Sequence, residues 1–146
     1  MSGEWVSGPA TSDDGRTVIV TGRLDVDKFR SNRRFAVRVE VTWPYSGSES
    51  DVMGMPDKAT STLMEQVTDA LADAFRRDPV AVMTGIYTGA GERNWVFYTA
   101  STNIFGRKLN EALEPFPLLP LKVYCENDPG WAEYDEMSEA LPGPGE

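Results

Sequence analysis

The chain predicts an α+β domain, and three stretches carry that prediction. Phe35, Val37, Val39, Val41 and Trp43 alternate with Arg34, Ala36, Arg38, Glu40 and Thr42, the period of a strand with one buried and one wet face. Leu63, Met64, Val67, Ala70, Leu71, Ala74 and Phe75 recur at the helical period, leaving Glu65, Asp69, Asp73 and Arg76 for water. Val80–Thr88 and Arg93–Ala100 flank Gly89-Ala90-Gly91, the spacing of a hairpin.

The remaining elements follow in order. Residues 1–15 are polar, contain Gly8, Pro9 and Gly15, and read as a loosely ordered segment apart from Trp5. Thr17–Leu24 is β-branched and follows the turn signal Asp14-Gly15, so it reads as a strand. Asp25–Arg33 is a charged connection, and Pro44 ends the alternating strand by removing a ladder donor. After a polar loop to Met55, Asp57 is placed to cap the first helix, and Asp78-Pro79 stops it. Ser101 or Thr102 caps a shorter helix with Ile104, Phe105, Leu109, Ala112 and Leu113 inward, ended by Pro115 and Pro117. Leu119–Cys125 is the last strand, and 138–146 reads as a disordered acidic tail. One domain therefore covers 16–137. Without its first strand the order is βαββαβ, the ferredoxin-like split unit, with an antiparallel sheet and two helices on one face. In that arrangement Phe35–Trp43 is central and Thr17–Leu24 is an extra edge strand.

Composition narrows the function classes. The 146 residues carry 23 acids against 14 bases, a net charge of −9. Seven acids (Glu126, Asp128, Glu133, Asp135, Glu136, Glu139 and Glu146) follow Lys122, after which there is no base. Such a charge repels phosphate backbones and excludes general nucleic-acid binding. The counter-feature is the basic cluster Lys28, Arg30, Arg33, Arg34 and Arg38, which reads first as a solvated loop leading into a strand. No run of 18 apolar residues spans a membrane, and no apolar core of a signal peptide follows Met1. Cys125 is the single cysteine, so no internal disulfide forms; it reads as a small core residue of the last strand. The expected compartment is the cytoplasm.

The chain contains no histidine, which removes the commonest proton shuttle, the serine triads and the common zinc sites. The glycines around Gly85–Gly91 cross a hairpin rather than linking strand to helix, so they form no phosphate loop, and EF-hand spacing is absent. No cofactor is implied. A carboxylate pair, Glu126 and Asp128 with Asp135 and Glu136 nearby, is the one arrangement a histidine-free hydrolase could use. On Arg93–Ala100, Trp95 and Phe97 share one face and Tyr98 lies on the other. The structural reading packs Tyr98 beneath Trp5 or Trp131; the functional one is an aromatic patch that anchors a partner. Asp128-Pro129-Gly130-Trp131 reads as a turn whose Asp caps a short helix, with Trp131 and Tyr134 on one side. The segment is then a clasp over the sheet, or a binding site.

Gly54-Met55-Pro56, Trp95-Val96-Phe97-Tyr98 and Asp128-Pro129-Gly130-Trp131-Ala132-Glu133-Tyr134, in that order, resemble the bacterial DUF695 family, domains of unknown function. The resemblance covers about 4–135. It implies a ferredoxin-like α+β fold, similar in shape to the ribonuclease regulator B domain, an acidic protein that acts by binding another protein. It implies no catalytic residues.

These readings lead to a non-enzymatic regulatory or protein-interaction domain. Tyr98, Asp128, Trp131 and Tyr134 are its expected surface, and the acidic C-terminal segment steers a protein partner. The alternative is a small anionic-ligand binder using Arg34 and Arg38, with Tyr98 or Trp131 as a stacking platform. A hydrolase acting through Glu126 or Asp128 is third. A second copy of the chain is a candidate cover for an open sheet face, making a homodimer.

Overall fold

The computed structural model describes residues 5–11, 15, 17–24, 26–31, 34–45, 58–89, 91–117 and 119–141. The expected cap at Asp57 and the end of the acidic tail lie outside them. Six strands form one sheet, every neighbouring pair antiparallel: β1 Trp5–Thr11, β2 Thr17–Arg23, β3 Val37–Pro44, β4 Ala81–Gly89, β5 Glu92–Thr99 and β6 Lys122–Asn127. Their spatial order is β1-β2-β4-β5-β3-β6. Among the described residues a single turn, α1 (Asp27–Arg30), and three longer helices, α2 (Lys58–Arg77), α3 (Thr102–Leu113) and α4 (Ala132–Ala140), accompany the sheet. The α+β class is as the sequence predicts, and β3 to β6 with α2 and α3 keep the βαββαβ order.

Three expectations change. The polar segment 1–15 contributes β1, which pairs with β2 from Trp5↔Arg23 to Thr11↔Thr17. Its Pro9 is tolerated because β1 is an edge strand. Consequently β2 lies between β1 and β4 instead of forming the edge. The segment expected to begin a disordered tail at 138 is helix as far as Ala140.

The sheet has a core on each face. On one side α2 and α3 cover Val39, Val41, Trp43, Met83, Ile86, Trp95 and Phe97. Within it, Trp95 Nε1 donates to Thr68 Oγ1 (2.8 Å), and that hydroxyl donates to the Met64 carbonyl (2.8 Å), so the buried indole is satisfied within the helix layer. Ser101 caps α3 by accepting from Ile104 N–H. On the other side α1 and α4 cover Val20, Val82 and Tyr98. The two expected helices, α2 and α3, share one face, and α1 and α4 cover the other as well. Strand β4 carries a bulge between Met83 and Gly85. Met83 faces α2 before it and Ile86 after it, an odd-to-even change of phase that one extra residue supplies.

Candidate functional site

Asp128 follows β6 and anchors its end, its N–H donating to the Ala36 carbonyl (2.8 Å). Pro129 and Gly130 then turn the chain so that Trp131 N–H donates to the Asp128 carbonyl (3.0 Å). Trp131 occupies the left-handed region, φ 57°, a position that costs a non-glycine residue about 1–2 kcal/mol. The Asp128 carboxylate offsets that strain by capping α4, accepting from Ala132 N–H (2.9 Å) and Glu133 N–H (3.1 Å). It also accepts from the Tyr98 hydroxyl at 2.6 Å.

Trp131 stacks on Tyr98 with ring centroids 4.1 Å apart and 18° between planes, and Tyr134 meets Trp131 edge-on at 5.4 Å. Trp131 Nε1 donates to the Phe35 carbonyl (2.7 Å) and the Tyr134 hydroxyl to the Arg23 carbonyl (2.7 Å). Each ring therefore has an apolar neighbour for its body and a backbone acceptor or carboxylate for its polar tip. The structure brings all four expected surface residues together, but it buries them: Tyr98 is 0% exposed, Trp131 1%, Tyr134 6% and Asp128 9%. They are the clasp, with Trp131 rather than Trp5 over Tyr98, and they offer no face to a partner.

Electrostatics agree with a static role. Burial, then the hydrogen bond and charge of Asp128, drive the Tyr98 phenol well above its ordinary pKa. Burial works against the Asp128 carboxylate, but the Tyr98 hydroxyl, two backbone N–H groups and the Arg38 charge together hold it below the usual carboxylate range. Burial also raises Tyr87, opposed by Arg38. Arg38 is itself buried, 2.6 Å from Glu40 and 3.4 Å from Glu126. Desolvation disfavours its charge, and the bond and charge of Glu40 outweigh it, so its pKa is raised.

The expected anion site is not assembled. Arg34 stands exposed in the turn ahead of β3, whose pairing starts only at Val37, while Arg38 is enclosed by carboxylates. Glu126 and Asp128 likewise answer to different partners, Arg38 and Tyr98. Asp135 is paired with Arg30 at 2.5 Å. Among the described residues no three His, Cys, Asp or Glu side chains are grouped to hold a metal.

Two features escaped the sequence reading. The first is a cleft of about 800 Å³ at the α1 end of the sheet, lined by Trp5, Arg23, Phe29, Phe75, Arg76 and Met83 among others. It opens because β2 pairs with β4 only as far as Gly22↔Gly85, leaving Ala81–Met83 with β5 on one side alone. The second is β6. Among the described residues this strand pairs with β3 on one side and with no strand on the other, and Val123 is 51% and Tyr124 57% exposed. Cys125 is exposed as well, a correction to its expected place in the core. Neither α2 nor α3 extends over this strand's face, so an apolar sequence there does not mean burial. The signal available in the sequence was Pro120 just ahead of the strand, a residue that favours edges.

Residues 4–137 match the model of a family of unknown function, DUF695. No curated protein and no solved structure matches the chain.

Proposed function

The chain belongs to the DUF695 family, and from that premise we propose that it is a cytoplasmic, non-enzymatic protein-interaction domain that takes its partner along β6. One observation carries the reading: β6 is an edge strand in which every residue but Glu126 is exposed, with Val123 and Tyr124 turned to opposite faces. A bare row of backbone donors and acceptors beside exposed apolar side chains is the substrate of strand addition. The non-enzymatic part rests on how the polar groups are used, since Tyr98, Asp128, Arg38 and Glu126 are all engaged with one another or with backbone. The net charge of −9 favours encounter with a basic partner. Among the described residues no helix is long and apolar enough to cross a membrane.

The test is capture from lysate by wild type and by Tyr124→Asp, at low and at high salt. A protein held near stoichiometry by wild type, lost by the variant and weakened by salt supports the reading. Equal capture by both proteins places the contact elsewhere and removes β6 from the account.

A second reading, a small-molecule binder, is favoured by the cleft, whose volume is that of ordinary ligand sites. Aromatic walls from Trp5, Phe29 and Phe75 accompany the charges of Arg23, Arg76, Asp69 and Asp73. A metabolite thermal-shift screen tests it; any hit must vanish in Ala72→Phe, which fills the cleft from α2, or the binding lies elsewhere.

A further inference from the structure

We propose that the occupant of the β6 edge is a second copy of the chain, joined antiparallel about a two-fold axis through Tyr124, so that one sheet runs through both subunits. This rests on the edge-strand reading of β6 and names its partner. Two copies at −9 each repel, so the seam contacts carry the pairing and added salt relieves the repulsion. In an antiparallel pair, residues directly opposite must point to the same face, so a two-fold pairing is centred on a residue, never between two. Each possible centre then fixes a different set of neighbours.

Centring on Tyr124 sets Lys122 opposite Glu126 of the second copy, Val123 opposite Cys125, and the two Tyr124 rings against each other. The first two matches occur twice, and the tyrosine pair lies once, on the axis. Within one subunit Glu126 already sits opposite Arg38 on β3 and Lys122 opposite Thr42. The joined row therefore reads Arg38, Glu126, then the second copy's Lys122 and Thr42, with charges alternating across the seam. On the other face Val39 and Val41, both fully buried, neighbour Cys125 and Val123. Joining extends that apolar row and covers the exposed Val123.

The neighbouring centres lack this agreement. A centre at Val123 places Lys122 against Tyr124 and carries Glu126 beyond the strand to Pro120. A centre at Cys125 places Val123 against Asn127 and Tyr124 against Glu126. Only the Tyr124 register pairs opposite charges on one face and apolar groups on the other. Sheet edges are ordinarily protected by several charges, a proline or a bulge; β6 has two charges that this register pairs, no proline within it and unbroken pairing with β3.

Sedimentation of the full chain across micromolar concentrations tests the proposal. The expected result is a dimer whose dissociation constant rises at least about 100-fold in Tyr124→Asp, which sets two like charges together on the axis, while circular dichroism is unchanged. Lys122→Glu and Glu126→Lys should each be monomeric, because each sets like charges opposite in both halves of the seam. Mixed, they should form a heterodimer, because both contacts become opposite-signed again.

A wild type that stays monomeric while binding a different protein in a Tyr124-dependent way overturns the self-pairing and leaves the interaction reading standing. A monomer with no such binding sinks both. A dimer indifferent to Tyr124→Asp, or one that the mixed variants fail to restore, overturns the Tyr124 register.

Discussion

Trp131 holds a backbone conformation that tryptophan rarely adopts, and Asp128 is the residue that keeps it there. The carboxylate makes three hydrogen bonds, so its loss should exceed that of an ordinary surface acid. Asp128→Asn should destabilise the protein by about 1–3 kcal/mol at pH 7, measured by urea unfolding. Because its folded pKa lies below the unfolded value, the contribution of Asp128 is complete above about pH 4. It disappears as pH falls through the folded pKa, so the variant should show a shallower acid limb. Tyr98 works in the opposite direction. Its folded pKa lies above the unfolded value of 10.0, so its share of stability is whole below that pH and declines above it. Tyr98→Phe should therefore flatten the stability loss above pH 10. The capping role of Asp128 was legible in Asp-Pro-Gly because turn chemistry is local. Burial of Tyr98 beneath Trp131 was one of two readings the residues allowed, and the return of α4 from a distant part of the chain decides between them.

Among the elements, α4 depends most on a close approach. A side chain at Gly22 would collide with Met137 Sδ and come within 2.6 Å of Leu141 Cδ1. Gly22→Ala should push this helix outward at a cost of about 1–3 kcal/mol. Amide exchange should quicken in 132–140 while α2 stays protected; uniform loss of protection across both helices would refute local undocking. Trp131→Ala removes the ring that joins α4 to β5 and should cost about 3–5 kcal/mol, read as a lowered urea midpoint. The helices α2 and α3 were legible because their apolar faces repeat over several turns. By contrast β1 was not, since Gly8 and Pro9 imitate a loop and only pairing with β2 reveals a strand. Cys125 and Tyr124 show the same limit: strand propensity indicates that β6 extends, while exposure depends on which strands α2 and α3 cover.

The whole molecule carries its charge excess as self-repulsion. Surface ion pairs such as Arg76–Asp73 and Arg77–Asp73 contribute at most about 1 kcal/mol each and are weakened by salt. A net charge of −9 opposes compaction, and salt relieves it. Repulsion should win, so the thermal midpoint should rise between low and high ionic strength; a fall would mean that the ion pairs dominate. At this scale the sequence permitted the α+β class and the βαββαβ order of its central elements. Strand β2 joining β4, and a helix on each side of the sheet, rest on contacts between segments far apart in sequence. Periodicity within a segment does not encode them.

The two cores also differ in when they can form. Apart from Trp5 at its margin, the core under α2 and α3 draws on residues from Val37 to Leu121. The other needs α4 against β2, an encounter spanning 111 residues from Arg23 to Tyr134. A ribosome releases the first set before α4 has emerged. Until then Val20, Val82 and Tyr98 have only the single turn α1 over them, so the nascent chain carries a sticky face that α4 removes. Slowing translation while α4 is still held within the ribosome should lengthen that interval, raising chaperone association or aggregation without altering the finished fold.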